Sequence, residues 1–367
     1  MPKRRPAKKR SPAAAVLLAV LCLLLLAVSR YLDSRSEPAA SVSAPEAAQA
    51  DAPKLEVHFL DIGQGDSALL FCGDETLLID GGKVKNNQKL IARLKELEVD
   101  HLDAVICSHP DEDHCGGLSA VLASTRTDAF YCSVDSWHTK VFSDVTKYVE
   151  QQGISVTVPQ AGDSFAFGEA SVEFLGPVED YGDDPNEGSL VARVRYGETS
   201  FLFTGDMGFE AEDDMLAAGV DVSATVLKVA HHGSAGSSST EFLQAVHPQY
   251  AVISVGADND YGHPTEAALN RLAACGIPVY RTDLLGEIIA VSDGKTVTMT
   301  TASSEAPSAD AASQTTDSYG YVGNSSSKVV HLAGCGKLPG ESNRVYFASL
   351  DEALAAGYRK HASCLGS

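Results

Sequence analysis

The chain has 367 residues, enough for a large core and more than one domain, and its 49 acidic against 28 basic side chains give a formal charge of −21. Six of the basic residues (Lys3, Arg4, Arg5, Lys8, Lys9 and Arg10) fall in the first ten positions, so the remainder is more acidic still. Such a surface excludes long-range attraction of a polyanion, and any contact with nucleic acid has to be local.

The basic start is followed by an apolar run from Ala13 to Val28. As a helix this run spans roughly 24 Å at ~1.5 Å per residue, slightly short of a ~30 Å hydrocarbon core. Pro12 at one end, and Ser29 to Leu32 with a snorkelling Arg30 at the other, close the gap. Residues 1–32 read as a basic cytoplasmic tail with a membrane anchor, or as a signal peptide cleaved near Ala27-Val28-Ser29. The long apolar run favours the anchor. Basic residues stay inside, so the rest of the chain is expected outside the cytoplasm, held to the membrane by one span or secreted if cleaved. Residues 33–53, rich in Ala, Ser, Pro and Glu, read as a flexible linker.

From Leu55 the texture changes. Leu55, Val57 and Phe59 alternate with polar residues, and Asp61-Ile62-Gly63-Gln64-Gly65-Asp66 turns into another apolar run. Thr76 to Ile79 is a strand that ends in Asp80-Gly81-Gly82, and Asn87, Leu90, Ile91, Leu94 and Leu97 fit one helix face. The buried strand Leu102 to Cys107 runs into Ser108-His109-Pro110-Asp111-Glu112-Asp113-His114-Cys115-Gly116-Gly117, after which Leu118 to Ala123 is helical. Gly116-Gly117 lets that helix start close against a strand. The second half repeats the theme: Ser171 to Leu175, Leu190 to Arg195, Ser200 to Asp206, Thr225 to Ala230 and Ala251 to Val255 read as strands, and Thr265 to Cys275 as a helix. This is a mixed α/β order. Cys72, Cys107, Cys115 and Cys132 lie in or near core elements, where a free thiol acts as a small apolar side chain, and no obligatory disulfide is expected.

Residues of metal-binding type recur at strand ends: Asp61, Asp80, the 109–114 turn, Asp206, His231 and His263. Imidazoles and carboxylates crowded like His109, Asp111, Asp113 and His114 lose solvation and repel protons unless a cation binds them. Strand carboxyl ends are where open α/β sheets build sites. Some of these residues have an ordinary alternative. Asp61 and Asp66 either hold their turn or stand behind the metals, Asp80 either orients a ligand histidine or ends a strand, and His263 either starts a helix or lies on the rim of the site, donating to a phosphate oxygen. His58, His101, His138 and His247 read as ordinary strand or surface histidines.

Together these residues resemble the metallo-β-lactamase fold superfamily, a four-layer αβ/βα sandwich with a dinuclear metal site between two sheets. With Phe203-Thr204-Gly205-Asp206 and His231-His232-Gly233-Ser234, they resemble the hydrolase domain of the competence DNA-uptake protein ComEC. The resemblance implies that His109 and Asp111 bind one metal, Asp113 and His114 the other, that Asp206 bridges, and that His231 or its neighbour His232 completes the second site. Asn186 and Ser189 fall where the wider superfamily usually supplies one more histidine. The first site is thereby richer in oxygen, which shifts preference from zinc toward manganese without excluding zinc. Of His231 and His232, strand alternation would aim one inward and one away.

Residues 54–300 are thus the expected hydrolase domain, 301–319 a second linker and 320–367 a separate module. In that module His331-x3-Cys335 and His361-x2-Cys364 make two N/S pairs that suit one tetrahedral structural zinc. The segment resembles the small zinc module of the Ada repair protein, with His331 and His361 in place of cysteines. The expected function is a metal-dependent phosphodiesterase or nuclease acting on DNA, with Asp113 and His263 assisting the chemistry. The rival reading is a phosphorylcholine esterase or other small-ester hydrolase at the cell surface, which the acidic charge favours.

Overall fold

The computed structural model describes residues 54–257, 259–301, 321–332, 344–347 and 350–361. The expected anchor, the linkers but for Thr301, and Cys335 and Cys364 lie outside these residues. Among the described residues no helix is long and apolar enough to cross a membrane.

Alternating apolar side chains, with both parities buried, build two stacked sheets. One sheet has eight strands in the order β15 (Val297–Thr301), β14 (Ile288–Ser292), β1 (Leu55–Phe59), β2 (Ala68–Cys72), β3 (Glu75–Ile79), β4 (His101–Cys107), β5 (Arg126–Cys132) and β6 (Val156–Thr157). The other has seven, in the order β13 (Val279–Arg281), β12 (Tyr250–Ile253), β11 (Val226–Lys228), β10 (Thr199–Phe203), β9 (Val191–Tyr196), β8 (Ala170–Gly176) and β7 (Ser164–Phe167). Val57, Phe59, Leu70, Leu77 and Ile106 of the first sheet meet Phe174, Val194, Phe201, Phe203 and Val252 of the second. The rings of Phe59 and Phe203 stack 5.9 Å apart across that core.

The residues between them point outward under helices. Leu69, Leu78 and Val105 are covered by α1 (Asn87–Glu96), α3 (Leu118–Ser124) and α4 (Lys140–Gln151), with the single turn α2 (Glu112–Cys115) leading into α3. Leu202, Leu227 and Ile253 are covered by α5 (Phe209–Ala217), α6 (Thr240–Val246) and α7 (Glu266–Ala274). Helix, sheet, sheet, helix is the four-layer αβ/βα sandwich that the resemblance implies. A third, four-stranded sheet, β18 (Arg344–Phe347), β16 (Tyr321–Asn324), β17 (Val329–Leu332) and β19 (Arg359–Lys360), carries the helix Leu350–Ala355 and a small core of Val330, Ala353 and Tyr358.

Parallel pairing decides where the site lies. β3 and β4 run parallel, as do β10, β11 and β12. Their carboxyl-end loops therefore gather at one end of the sandwich. Two glycine pairs bring the first two loops together. Gly81 N–H donates to His114 O at 2.7 Å, and Gly117 N–H donates to Gly82 O at 2.8 Å. A Cβ on Gly81 would stand 2.8 Å from Leu118 N, and one on Gly117 would strike Gly81 O. Only residues without a side chain permit that backbone contact.

Candidate metal centre

Asp111 opens α2 in an extended conformation, so His109, Asp111, Asp113 and His114 all come from one tight turn. His109 and His114 are buried with ring centroids 4.1 Å apart. Asp80 follows β3 with φ 59°, which swings its carboxylate under that turn. It accepts from Ser108 N–H at 2.7 Å and Ser108 Oγ at 2.8 Å, and its Oδ2 pairs with His114 Nδ1 at 2.9 Å. A carboxylate on Nδ1 fixes the ring and leaves Nε2 as the free lone pair. Of the two readings for Asp80, its contacts are those of a residue that orients a histidine.

His114 Nε2 lies 3.1 Å from Asp206 Oδ1. Asp206 follows β10 through Gly205, and its N–H donates to Ser189 Oγ at 3.1 Å. That hydroxyl also reaches His109 Nδ1 at 3.4 Å, so Ser189 ties the two halves of the site together. His231 and His232 occupy the turn Ala230–Gly233 with φ 51° and 53°. Strand alternation does not govern them, because a left-handed turn turns both rings toward the cleft. His232 is buried, with Nδ1 held by Asp66 Oδ1 at 3.0 Å and Ser254 O at 2.9 Å. Its Nε2 stands 3.5 Å from Asp206 Oδ2 and 3.7 Å from Asp113 Oδ2. The His231 side chain is 29% exposed, with Nε2 3.7 Å from Asp206 Oδ2.

Among the described residues Asp66, His114, Asp206 and His232, all buried, each offer a possible ligand atom within 4.8 Å of the others. His232 rather than His231 belongs to this group. The Nε2 atoms of His109, His114 and His232 and Oδ1 of Asp206 are buried and meet no hydrogen-bond geometry, His114 Nε2 and Asp206 Oδ1 facing only each other at 3.1 Å. Polar atoms are rarely left so, because desolvation without a partner costs about 1–3 kcal/mol each. Two ligand atoms ~2.1 Å from one cation lie about 3–3.5 Å apart, close to the spacings seen. The residues fit divalent metal.

Charge points the same way. Burial opposes a proton on His232, yet the carboxylates of Asp206 and Asp66 push the ring up to about 10. At His114 burial is again outweighed, by Asp206 and Asp80, and the ring is held well above its ordinary value. Burial would raise Asp206, but the two imidazoles beside it hold it well below. Burial, then His114, pushes His109 down to about 3. The carboxylates demand positive charge in this pocket, which protons or cations can supply.

The open side is a cleft of about 220 Å³ lined by Gln64, Asp111, Asp113, Asn186, Tyr261 and His263 around the cluster. Asn186 Oδ1 and His263 Nδ1 are buried there without partners. Asp61 is not part of it: its Oδ1 accepts from Gly63 N–H at 3.3 Å and its Oδ2 pairs with Lys89 at 2.9 Å, the contacts of a turn. In the third sheet the rings of His331 and His361 approach to 4.0 Å, and His331 Nδ1 is buried without a partner.

Sequence reasoning missed Lys228. It ends β11 at 3% exposure, with Nζ 2.6 Å from Asp66 Oδ2 and donating to Val229 O at 2.8 Å. Lys228, Asp66 and His232 form a chain whose last atom is the unpartnered Nε2. A signal was present: a lysine inside the apolar run Val226 to Ala230 has to find a buried partner.

The sequence profile of the Metallo-beta-lactamase superfamily matches residues 60–257. Among curated proteins, Competence protein ComA of Neisseria gonorrhoeae is 34% identical over 285 residues, covering 76% of this chain and 38% of that protein. ComE operon protein 3 of Bacillus subtilis is 30% identical over 251 residues, covering 64% and 32%. The chain thus spans about a third of the length of these relatives. Among solved structures, the metallo-beta-lactamase fold protein YhfI from Bacillus subtilis matches with TM-score 0.47 and 15% identity, over 65% of this chain and 100% of that one. The matched region carries the turn after β4, Asp206 and His232, and the chain belongs to the Metallo-beta-lactamase superfamily.

Proposed function

We propose that this protein is a metal-dependent phosphodiesterase that cleaves DNA outside the cytoplasm, with two divalent ions, zinc or manganese, in the site. The observation that carries the reading is the set of unpartnered Nε2 and carboxylate atoms at the floor of an open cleft. Similarity to proteins named for competence favours DNA among phosphodiesters. Bound divalent ions supply Lewis-acid charge to phosphoryl oxygens and make water a nucleophile near neutral pH. Asp206, buried between the turn after β4 and the His231–His232 turn, would serve both ions, with His109 and Asp111 holding one and Asp113, His114 and His232 the other. Asp113 Oδ2 borders the cleft and can orient the attacking water, and His263 can donate to a phosphate oxygen. Asn186 and Ser189 offer oxygen where a nitrogen ligand would favour zinc, which supports manganese.

The test uses the purified full chain with Mn²⁺ or Zn²⁺ on single-stranded DNA, duplex DNA, a chromogenic phosphodiester and a phosphorylcholine ester. Metal-dependent cleavage of DNA is expected. Turnover of the phosphorylcholine ester alone would establish the rival small-ester reading, and no diester cleavage with either ion would end the proposal. The N-terminal apolar run is proposed as the anchor that leaves the site outside. Protection of the hydrolase domain from protease added to intact cells would contradict that placement.

For residues 320–367 we propose an Ada-like module closed by one structural zinc on His331, Cys335, His361 and Cys364. The approach of His331 to His361 supports it. Replacing Cys335 or Cys364 by serine should release one zinc per chain and leave hydrolysis of a small diester unchanged. Loss of hydrolysis together with that zinc would show that the module belongs to the active site.

A further inference from the structure

At the mouth of the cleft, loops from the two sheets meet through one pair of side chains. Lys83, just after β3 and Gly82, donates from Nζ to the hydroxyl of Tyr261 at 3.1 Å and lies 4.8 Å from that ring's centroid. Tyr261 stacks on His263, with centroids 5.8 Å apart and planes 25° from parallel. His263 in turn lines the metal cleft beside His231, 5.5 Å between ring centroids.

Tyr261 is nevertheless 59% exposed, a large aromatic surface left in water. The loop that carries it is pinned. Asn259 Oδ1 accepts from the backbone N–H of Tyr261 at 3.1 Å and of His263 at 3.0 Å, while Asn259 Nδ2 donates to Gly256 O and His263 O. A ring held this firmly, exposed, and next to the site is preorganised to receive a flat partner. Beside it, Gln64 Nε2 is a buried donor without an acceptor, facing the same cleft. Lys83, 3.9 Å from Asp113 Oδ2, adds a cation at the mouth, where a chain of charge −21 otherwise offers an incoming phosphate little attraction.

We infer that Tyr261, backed by His263 and flanked by Lys83, is the platform on which the nucleobase next to the scissile phosphate stacks, so that the site takes single-stranded polynucleotide. A base can lie on such a ring only when it has left its own stack and pairing. Lys83 then meets the adjoining phosphate, and Gln64 donates to the base edge or a phosphate oxygen. The inference rests on the phosphodiesterase reading above and assigns its substrate class.

The test compares kcat/KM of the full chain, loaded with Mn²⁺, on a single-stranded oligonucleotide, on the same strand with abasic sites throughout, and on the duplex. The unmodified protein should prefer the strand with bases over both others. Tyr261→Ala should lose on the order of 10- to 100-fold on that strand, the range of one lost stacking contact, and change little on the abasic strand. Tyr261→Phe should keep most of the preference. Equal losses on both strands would mean a structural role for the ring, and equal rates of the unmodified protein on both would mean no base is read; either result overturns the platform. Cleavage of a chromogenic diester with no cleavage of any strand would instead refute DNA as substrate, and the platform with it.

Discussion

Replacing Asp206 with alanine is expected to strip bound metal from the protein and nearly abolish phosphodiester turnover while leaving the fold intact. The carboxylate is buried after an apolar strand, with Oδ1 3.1 Å from His114 Nε2 and Oδ2 3.5 Å from His232 Nε2. It lies between His114 of one loop and His231 and His232 of the other, so its loss removes a carboxylate that both loops face. If Asp206 only capped its turn, alanine would cost about 1 kcal/mol of stability, with metal content and rate preserved. Metal stoichiometry and turnover on the same preparation separate the two. Asp80→Asn is the comparator. Asparagine keeps an acceptor for Ser108 but weakens the carboxylate–imidazole pair behind His114, and a change in such a supporting partner costs roughly 10–100-fold in metal affinity or activity. An Asp80→Asn protein as impaired as Asp206→Ala would show that Asp80 does more than orient a ring.

Lys228→Met should be strongly destabilising. Its ammonium and the Asp66 carboxylate form a buried pair at 2.6 Å, and removing the ammonium leaves Asp66 with only His232 beside it, at a cost of up to about 3–5 kcal/mol. Denaturant unfolding at fixed metal concentration measures it. Apolar replacement of both members of a buried pair is often nearly neutral for stability, so Lys228→Met with Asp66→Leu should recover much of the loss. It should not recover metal, because Asp66 also holds His232 Nδ1 at 3.0 Å. Recovery of both would mean that the pair is a packing device unrelated to the site.

The parts of the site that lie close together in the chain were legible. His109 to His114 advertise themselves by crowding, and Asp80 and Asp206 by ending apolar runs with a carboxylate and a glycine beside it. The glycine pair at 116–117 signalled the tight start of α3, though its partner pair at 81–82 could be matched to it only once β3 and β4 were known to lie side by side. What stayed hidden depended on partners across the two sheets. The preference for His232 over His231 is set by two left-handed φ angles and by Asp66, 166 positions earlier. Lys83 and Tyr261 lie 178 positions apart, so no local pattern joins them. Asp61 looked like its neighbours because the same Asp-x-Gly chemistry serves turns and metals alike.

The pairing of β1 with β14, and of β14 with β15, has a mechanical consequence. Leu55 pairs with Ser292, and Ser292 with Val297, whereas Phe59 pairs with Ile288, and Ile288 with Thr301. Phe59 marks the end from which the Asp61–Asp66 loop departs toward the candidate metal centre. The chain therefore enters the hydrolase domain at its back and leaves it at the loop end. A tether applied upstream of residue 54 pulls on the side away from the cleft, and the load is spread over a strand paired on both edges. Cargo carried after Thr301 leaves from an edge strand on the loop side. Immobilising the protein through its N-terminal part should thus leave the cleft open to large substrates, and attachment through its C-terminal part should crowd it.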